Sequence, residues 1–219
     1  MSGLLLKDWF YVRKKGLIYI VCAVIACVCI LHKDIMFSGV LFPCMFMLFL
    51  SANIMISEET DRWESFRGIF PWTAEQVIAS KYTGLLAVNG LFYLLTAVCC
   101  GLSMYMHIGF DIQIYMLIMA ITAFTIAISI AFMYISYSKF GGAAGAAVIY
   151  MTVLFSIILS TGYLYKFADT LIYIGNGMLI SAVLFILSVI IILTSWKASV
   201  YLYKNRNYYA DGRLINIKK

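Results

Sequence analysis

The chain has 219 residues, of which 64% are hydrophobic and 12% are charged, and its formal net charge is +6 at pH 7. An ordinary soluble domain carries about 25% charged residues, so this composition excludes that class. Several apolar runs reach the ~20 residues that a helix needs to cross a bilayer. The sequence therefore predicts a polytopic membrane protein. Its longest polar segment between two apolar runs, residues 57–81, is too short to be a soluble catalytic domain.

In chain order, the apolar runs predict an all-α membrane protein with six transmembrane helices in a single transmembrane domain over residues 1–219. The predicted spans are 16–31, 35–56, 82–106, 114–137, 142–165 and 177–196. None of them contains a lysine, arginine, aspartate or glutamate. Charged side chains inside a membrane usually mark ion or proton pathways, so a cation-coupled carrier is disfavoured.

The basic residues predict the orientation of these spans. With the amino terminus inside, 14 of the 16 lysines and arginines lie in cytoplasmic segments, and only Lys33 and Lys166 lie outside. Such an excess of basic residues is typical of cytoplasmic loops. We therefore expect a multi-pass protein of the cell membrane with both termini in the cytoplasm. The positive net charge follows from this bias, and no nucleic-acid partner is expected.

Two segments outside the spans are expected to lie along the membrane surface. In residues 1–15, Leu5, Trp9 and Val12 share one helical face, which favours a short interfacial helix on the cytoplasmic side. The alternative is that this helix extends the first span. Residues 166–177 are too short to cross, and we expect a short interfacial or re-entrant segment on the outer side. Residues 204–219 form the predicted cytoplasmic tail.

The polar segment between spans two and three carries a pattern of aromatic residues. Trp63, Phe66 and Phe70 follow at i, i+3 and i+7, which places three aromatic side chains on one face of a helix. Glu58 and Arg62 are spaced for an i, i+4 ion pair. An aromatic face in a cytoplasmic loop favours a docking element for a partner protein.

A second helix is predicted to start after Pro71, which interrupts the first. Thr73 is the expected N-cap, Gln76 completes a capping box, and Trp72 is placed to contact Val77 as a hydrophobic staple. The residues predicted to bind the partner are Trp63, Phe66, Arg67, Phe70, Pro71, Trp72, Thr73, Glu75 and Gln76.

Few polar side chains lie inside the predicted spans. Asn53 and Asn89 are candidates for a substrate path, although such residues more often bond across helices or to the backbone. In the same way, the small residues at 141, 142, 145 and 146 indicate close helix packing. Packing inside the bundle is favoured there, and a dimer interface is the alternative.

No catalytic or metal site is expected. The sequence contains no GxxxxGK[ST] phosphate-binding loop. The cysteines lie in apolar runs, where cysteine behaves as a small hydrophobic residue. His32 and His107 lie near Asp34 and Asp111 at the outer edge, where ordinary interfacial polar groups are favoured over a metal site.

The chain resembles a known family in its GLLLKD amino-terminal helix, its six predicted spans and the string IFPWTAEQVIASKY that starts at Ile69. It is similar to the small permease subunits of ABC-2-type ATP-binding-cassette exporters, particularly those related to exporters of phenol-soluble modulins. It departs from relatives at Ala74, where a basic residue is common.

The resemblance implies a transmembrane exporter subunit that pairs with a second permease, either a copy of itself or a sister chain. Residues 57–81 would contain the coupling helix that docks a separate ATPase. The chain itself would be no enzyme and hold no cofactor, since ATP and Mg²⁺ would bind the partner. The expected cargo is hydrophobic or amphipathic, with a peptide favoured. The alternative function is a membrane scaffold or immunity-type protein that transports nothing.

Overall fold

The computed structural model describes residues 2–29, 36–61, 72–106, 112–160, 170, 176–205, 208–210 and 213–215. The described chain is almost entirely helical. Its helices are α1 (Ser2–Tyr11), a π-helical segment (Val12–Gly16), α2 (Leu17–Cys29), α3 (Met36–Thr60), α4 (Ala74–Met106), α5 (Ile112–Phe140), α6 (Gly142–Ser160) and α7 (Gly177–Lys204).

Three of the described helices are long and apolar enough to cross a membrane: Ala74–Tyr105, Ile112–Phe140 and Gly177–Lys204. Two shorter apolar helices cover Leu17–Val28 and Gly142–Thr152. The prediction of a helical membrane protein is therefore confirmed. The count of six spans stays a prediction. The predicted outer segment over 166–177 lies mostly outside the described residues.

The tail departs from the all-α prediction. Strands β1 (Tyr208–Ala210) and β2 (Arg213–Ile215) pair antiparallel, with Tyr208 opposite Ile215. The Asp-Gly dipeptide between the strands is typical of a two-residue hairpin connection. This local signal lies beyond the last apolar run, so the hydrophobic pattern did not reveal it.

The core forms around α3 and α5. Helix α5 packs against α7, α6 and α3, and α3 also packs against α2, α4 and α6. Where α7 meets the bundle, its buried residues are mostly small, with serines at 181, 188, 195 and 199. Their side chains are short, and Ser181 and Ser188 bond carbonyl oxygens of their own helix. A surface of small residues allows two helices to approach closely without leaving polar groups unpaired.

Helix α1 lies alongside α3 and runs antiparallel to it. The Tyr11 hydroxyl donates to the Asn53 carbonyl oxygen at 3.3 Å. Further along, a Cβ added to Gly16 would lie 3.2 Å from a methyl carbon of Leu50. The backbone stays helical from Ser2 through the π-helical segment to Cys29. This continuity agrees with the alternative that α1 extends the first span, and the interfacial position of α1 stays a prediction.

The turn between α5 and α6 depends on glycine. Gly141 has a φ of 112°, a conformation that side chains with a Cβ rarely adopt. A Cβ on Gly142 would collide with the carbonyl oxygen of Met55, and one on Gly145 would lie 3.2 Å from the carbonyl oxygen of Met133. The small residues predicted to pack closely therefore do so inside this chain, against α3 and α5.

Candidate functional site

The middle of the predicted docking segment, from residue 62 to residue 71, lies outside the described residues. This range contains Trp63, Phe66, Arg67, Phe70 and Pro71, so their role as an aromatic docking face stays a prediction.

The end of the segment, from residue 72 to residue 81, shows the predicted capping box. The Gln76 backbone N–H donates to Thr73 Oγ1 at 3.2 Å, and the Thr73 backbone N–H donates to Gln76 Oε1 at 3.1 Å. Two amide groups at the helix start are thereby satisfied by side chains, which fixes the first turn of α4. Thr73, Glu75 and Gln76 are exposed, so they remain accessible to a partner.

Trp72 attaches the start of α4 to the core. Its side chain is half-buried and packs against the core cluster that includes Val77, Ile78 and Tyr82. The Tyr82 hydroxyl lies 3.1 Å from Ser195 Oγ and 3.2 Å from Ser199 Oγ on α7. The first turns of α4 are therefore held by a cap at the surface and by packing below it.

Four charged side chains meet directly beside this helix start: Lys7, Asp8, Glu58 and Lys81. We call them the ionic cluster. The Glu58 carboxylate lies between two ammonium groups, with Oε1 against Lys7 and Oε2 against Lys81. Glu58 is 5% exposed and Lys81 is 8% exposed. Three helices are tied together here, because Lys7 belongs to α1, Glu58 to α3 and Lys81 to α4.

Tyrosines from α5 and α7 enclose the ionic cluster. The Tyr137 hydroxyl donates to Glu58 Oε2 at 3.3 Å, and the Lys81 ammonium lies 5.0 Å from the centre of the Tyr137 ring. The Tyr134 hydroxyl donates to the carbonyl oxygen of Lys81 at 2.9 Å. Tyr203 of α7 stacks on Tyr137 with ring centres 6.1 Å apart. The cluster therefore contacts α5 directly and lies beside Tyr203 of α7.

The two carboxylates of the ionic cluster respond oppositely to this environment. Burial raises the pKa of Glu58, but the ammonium groups of Lys81 and Lys7 outweigh it, so the pKa lies below its usual value. Burial also raises the pKa of Asp8, and there the two lysines do not compensate fully. Glu58 is thus the firmly ionised member, as a carboxylate between two cations should be.

A neighbouring contact joins α3 to α6. Glu59 Oε2 accepts a hydrogen bond of 2.6 Å from the backbone N–H of Ala143, in the first turn of α6. A carboxylate at a helix N-terminus satisfies an amide that has no partner within the helix and interacts favourably with the helix dipole. Consecutive glutamates at the end of α3 therefore hold different helices in place.

The two asparagines proposed for a substrate path take part in helix contacts. Asn53 Nδ2 donates to the Tyr19 hydroxyl of α2 at 3.0 Å and to the Phe49 carbonyl oxygen at 2.9 Å. Asn89 is buried, and its Nδ2 donates to the Leu85 carbonyl oxygen at 3.1 Å. These bonds agree with the structural role favoured for both residues.

Sequence reasoning did not find the ionic cluster. It paired Glu58 with Arg62, which lies outside the described residues, and it used Lys7 and Lys81 only to orient the spans. A signal was nevertheless present, because Glu58 and Lys81 are the charged residues nearest to the facing ends of spans two and three. When two antiparallel helices are joined by a loop, the end of the first helix lies close to the start of the second. The position of Lys7 follows only from the packing of α1 along α3.

No group of three or more histidine, cysteine or acidic side chains suited to a metal ion occurs in the described ranges. The candidate outer residues at 32, 34, 107 and 111 are not among them. In the described part, Cys22, Cys27, Cys44, Cys99 and Cys100 are free thiols.

An apolar helical bundle with three helices long enough to cross a bilayer is the architecture of a membrane protein. Residues 3–204 match the profile of the ABC-2 family transporter protein. The chain therefore belongs to the ABC-2 transporter family, as the resemblance of its motifs indicated. Comparison with curated proteins returned no match, and neither did comparison with solved structures.

Proposed function

We propose that this protein is the transmembrane subunit of an ATP-driven exporter and that residues 57–81 receive a separate ATPase. Membership of the ABC-2 transporter family supports the transport role. The absence of a GxxxxGK[ST] motif in the sequence supports an external motor, because the chain lacks the loop that cradles phosphates in such motors. The proposed arrangement has six spans with both termini in the cytoplasm.

The observation that carries this proposal is the capped start of α4 beside the ionic cluster. A force applied to the docking segment reaches a helix whose first turn is fixed by Thr73 and Gln76. Lys81, two turns further, passes the displacement to Glu58 of α3 and through it to Lys7 of α1. Movement of the ATPase would in this way shift three helices together instead of bending one loop.

The proposed cargo is hydrophobic or amphipathic, and the resemblance favours a peptide. The helices of membrane length have no charged residue over 82–106, 112–138 and 177–196. Such surfaces suit apolar cargo and disfavour strongly charged solutes, whose burial is expensive in a membrane.

A second permease subunit completes the proposed assembly. Helices α2, α4 and α7 leave large apolar side chains exposed, among them Ile18, Leu94 and Ile186. Faces of this kind suit contact with lipid or with another membrane helix. The second subunit is either a copy of this chain or a sister chain.

The test is co-purification of this protein with a candidate ATPase, followed by measurement of ATP hydrolysis and peptide export in liposomes. We expect no hydrolysis by this chain alone, and hydrolysis together with outward peptide movement by the complex. Hydrolysis by the isolated chain, or failure of every candidate ATPase to bind it, would contradict the proposal. Inward movement of peptide would contradict the export direction alone.

A further inference from the structure

Arg13 and Lys14 are adjacent basic residues on the exposed side of the continuous helix that α1 and α2 form. We call them the basic pair. Both side chains are exposed, and within the part of the chain that the structure describes neither forms an ion pair. The large apolar side chains that precede and follow them are between 57% and 69% exposed: Trp9, Phe10, Leu17 and Ile18. The basic pair therefore interrupts a row of exposed apolar side chains.

Contacts with α3 fix the depth of the basic pair in the bundle. The ionic cluster joins α1 to Glu58 near the end of α3. Further along the helix, Tyr11 bonds the carbonyl oxygen of Asn53, and Gly16 lies against the Leu50 side chain. The basic pair comes between Tyr11 and Gly16, so its backbone lies level with residues 50–53 of α3. At 1.5 Å per residue, this level is about 8 to 12 Å deeper in the bundle than Glu58.

In the predicted arrangement of spans this level lies inside the membrane. Residues 36–57 of α3 include no charged side chain. The uncharged run over residues 16–31 is about 24 Å long as a helix, which is less than the ~30 Å of a hydrocarbon core. A crossing that includes α2 therefore reaches back to the basic pair.

Cations that face hydrocarbon are unfavourable, and long basic side chains relieve this by extending until their charge reaches the headgroups. The Cα–Cβ bonds of a helix lean towards its amino terminus. Here the amino terminus lies at the end of the bundle where the ionic cluster is, so the basic pair leans towards the nearer layer of headgroups. The groups that it meets there are lipid phosphates.

We propose that the basic pair binds the phosphate of an anionic phospholipid, such as phosphatidylglycerol, whose acyl chains lie along the exposed apolar side chains of α2. The planar guanidinium of Arg13 suits phosphate because it can donate two parallel N–H bonds, and Lys14 adds a second charge. A zwitterionic lipid carries its own cation beside the phosphate and compensates these charges less well. The turn that carries the pair, Val12–Gly16, is π-helical, a geometry that is frequent at functional sites.

Two other anions fit this surface less well. The predicted spans contain no aspartate or glutamate, so a second copy of this chain has no carboxylate to offer at this depth. A soluble phosphate lacks the acyl chains that the exposed side chains of Leu17 and Ile18 would contact. A lipid supplies both the anion and the hydrocarbon.

The test is native mass spectrometry of the full chain in detergent with equimolar phosphatidylglycerol and phosphatidylethanolamine of identical acyl chains. We expect the wild type to retain phosphatidylglycerol over phosphatidylethanolamine by about 25-fold, because each basic residue near an anionic surface supplies about fivefold. Arg13→Gln combined with Lys14→Gln should remove this preference. Lys197→Gln combined with Lys204→Gln, which removes two exposed cations of α7, should keep it.

A charge-preserving variant separates lipid binding from folding. Arg13→Lys combined with Lys14→Arg should keep the preference, and its loss there would overturn the proposal. Equal retention of the two lipids by the wild type would also overturn it, as would a preference that survives the double glutamine variant. Displacement of the lipid by equimolar glycerol phosphate would show a site for soluble anions instead. A dimer that the double glutamine variant loses while it retains phosphatidylglycerol would show a protein carboxylate at the pair. Because the readout needs no ATPase, failure here leaves the proposed transport function standing.

Discussion

At the scale of single residues, Glu58 is a position where removing one charge should destabilise the fold strongly. Transferring a carboxylate out of water is unfavourable by several kcal/mol unless partners compensate. Glu58 has two such partners, Lys7 and Lys81, and a hydroxyl from Tyr137 as well. Loss of the carboxylate would leave Lys81 buried beside an uncharged neighbour, and that ammonium is the group whose burial is then unfavourable.

We expect Glu58→Gln to lower the free energy of unfolding by about 3 kcal/mol, the usual effect of removing one partner from a buried ion pair. Combining it with Lys81→Met should recover part of the loss, because no buried charge is then left without its counterion. Glu59→Gln, which keeps an oxygen acceptor for Ala143 in an exposed position, should lose about 1 kcal/mol or less. Thermal unfolding in detergent provides the measurement, and equal losses for the two glutamates would contradict the assignment.

The same carboxylates predict how stability depends on pH. The pKa of Glu58 lies below its ordinary value of 4.5, so its stabilising contribution is complete above pH 4.5 and is lost as the pH falls through the folded-state pKa. The pKa of Asp8 is raised above 3.8, so its contribution has the opposite sign and is lost as the pH rises. In a plot of melting temperature against pH, Glu58→Gln should therefore reduce the fall in melting temperature on the acid side, and Asp8→Asn should make that fall steeper. The same fall in both variants and the wild type would refute this.

At the scale of elements, α4 is the helix that connects the docking segment to the membrane. It has 33 residues and is about 50 Å long at the usual rise per residue. Its first turn is capped. Two residues further along the helix anchor it to its neighbours: Lys81 pairs with Glu58 of α3, and Tyr82 bonds Ser195 of α7. A helix that is fixed at its start transmits displacement along its axis, whereas a frayed end would absorb it.

Thr73→Ala should weaken this connection through the loss of the cap. We expect a stability loss of about 1 kcal/mol and a moderate reduction of ATPase-coupled export. Thr83→Ala is the matched control, because Thr83 is exposed on the same helix. Its hydroxyl donates to carbonyl oxygens of the preceding turn, those of Ala79 and Ser80, and takes no part in the cap. Thermal stability and export should both be reduced in Thr73→Ala and should stay near wild type in Thr83→Ala. An equal response from the two threonines would show that the cap has no special role.

The aromatic face is the other half of the predicted docking element. We expect Phe66→Ala and Phe70→Ala to reduce ATPase co-purification, because a central aromatic anchor contributes about 2 kcal/mol, or roughly thirtyfold in affinity. Expression and monodispersity should stay near wild type, and Asn89→Ala, buried within α4, should leave ATPase binding unchanged. Retention of full binding by both phenylalanine variants would mean that this segment is a simple connector.

At the scale of the whole molecule, the sequence predicts local features well and distant contacts poorly. The capping box was predictable because Thr73 and Gln76 are three residues apart and the cap depends on local geometry alone. The ionic cluster was not, because Lys7 is 51 residues from Glu58 along the chain, and their contact arises from the packing of α1 along α3. An uncharged run predicts a membrane helix, but not the neighbours against which its ends pack.

The arrangement of helix ends bears on the orientation in the membrane. Contacts at Glu58 and Glu59 bring together the middle of α1, the end of α3, the start of α4, the end of α5 and the start of α6. Tyr203, near the end of α7, packs there too. These ends flank the segments in which most of the lysines and arginines lie. An excess of basic residues at one end is the distribution that cytoplasmic loops carry.

Labelling of substituted cysteines in cells should therefore distinguish positions on the outer side of the membrane from positions on the cytoplasmic side. In a background whose native cysteines are replaced by serine, a membrane-impermeant thiol reagent should modify cysteine at Asp34, Asp111 and Asp169 from outside. Asp61→Cys should react only after the membrane is permeabilised, because Asp61 directly follows α3 at the end where the ionic cluster lies. Asp211→Cys in the predicted cytoplasmic tail should behave in the same way. Retained export by each variant serves as the control for correct insertion. Modification of Asp61→Cys from outside in intact cells would reverse the orientation, and it would place the docking segment on the side where no ATPase could reach it.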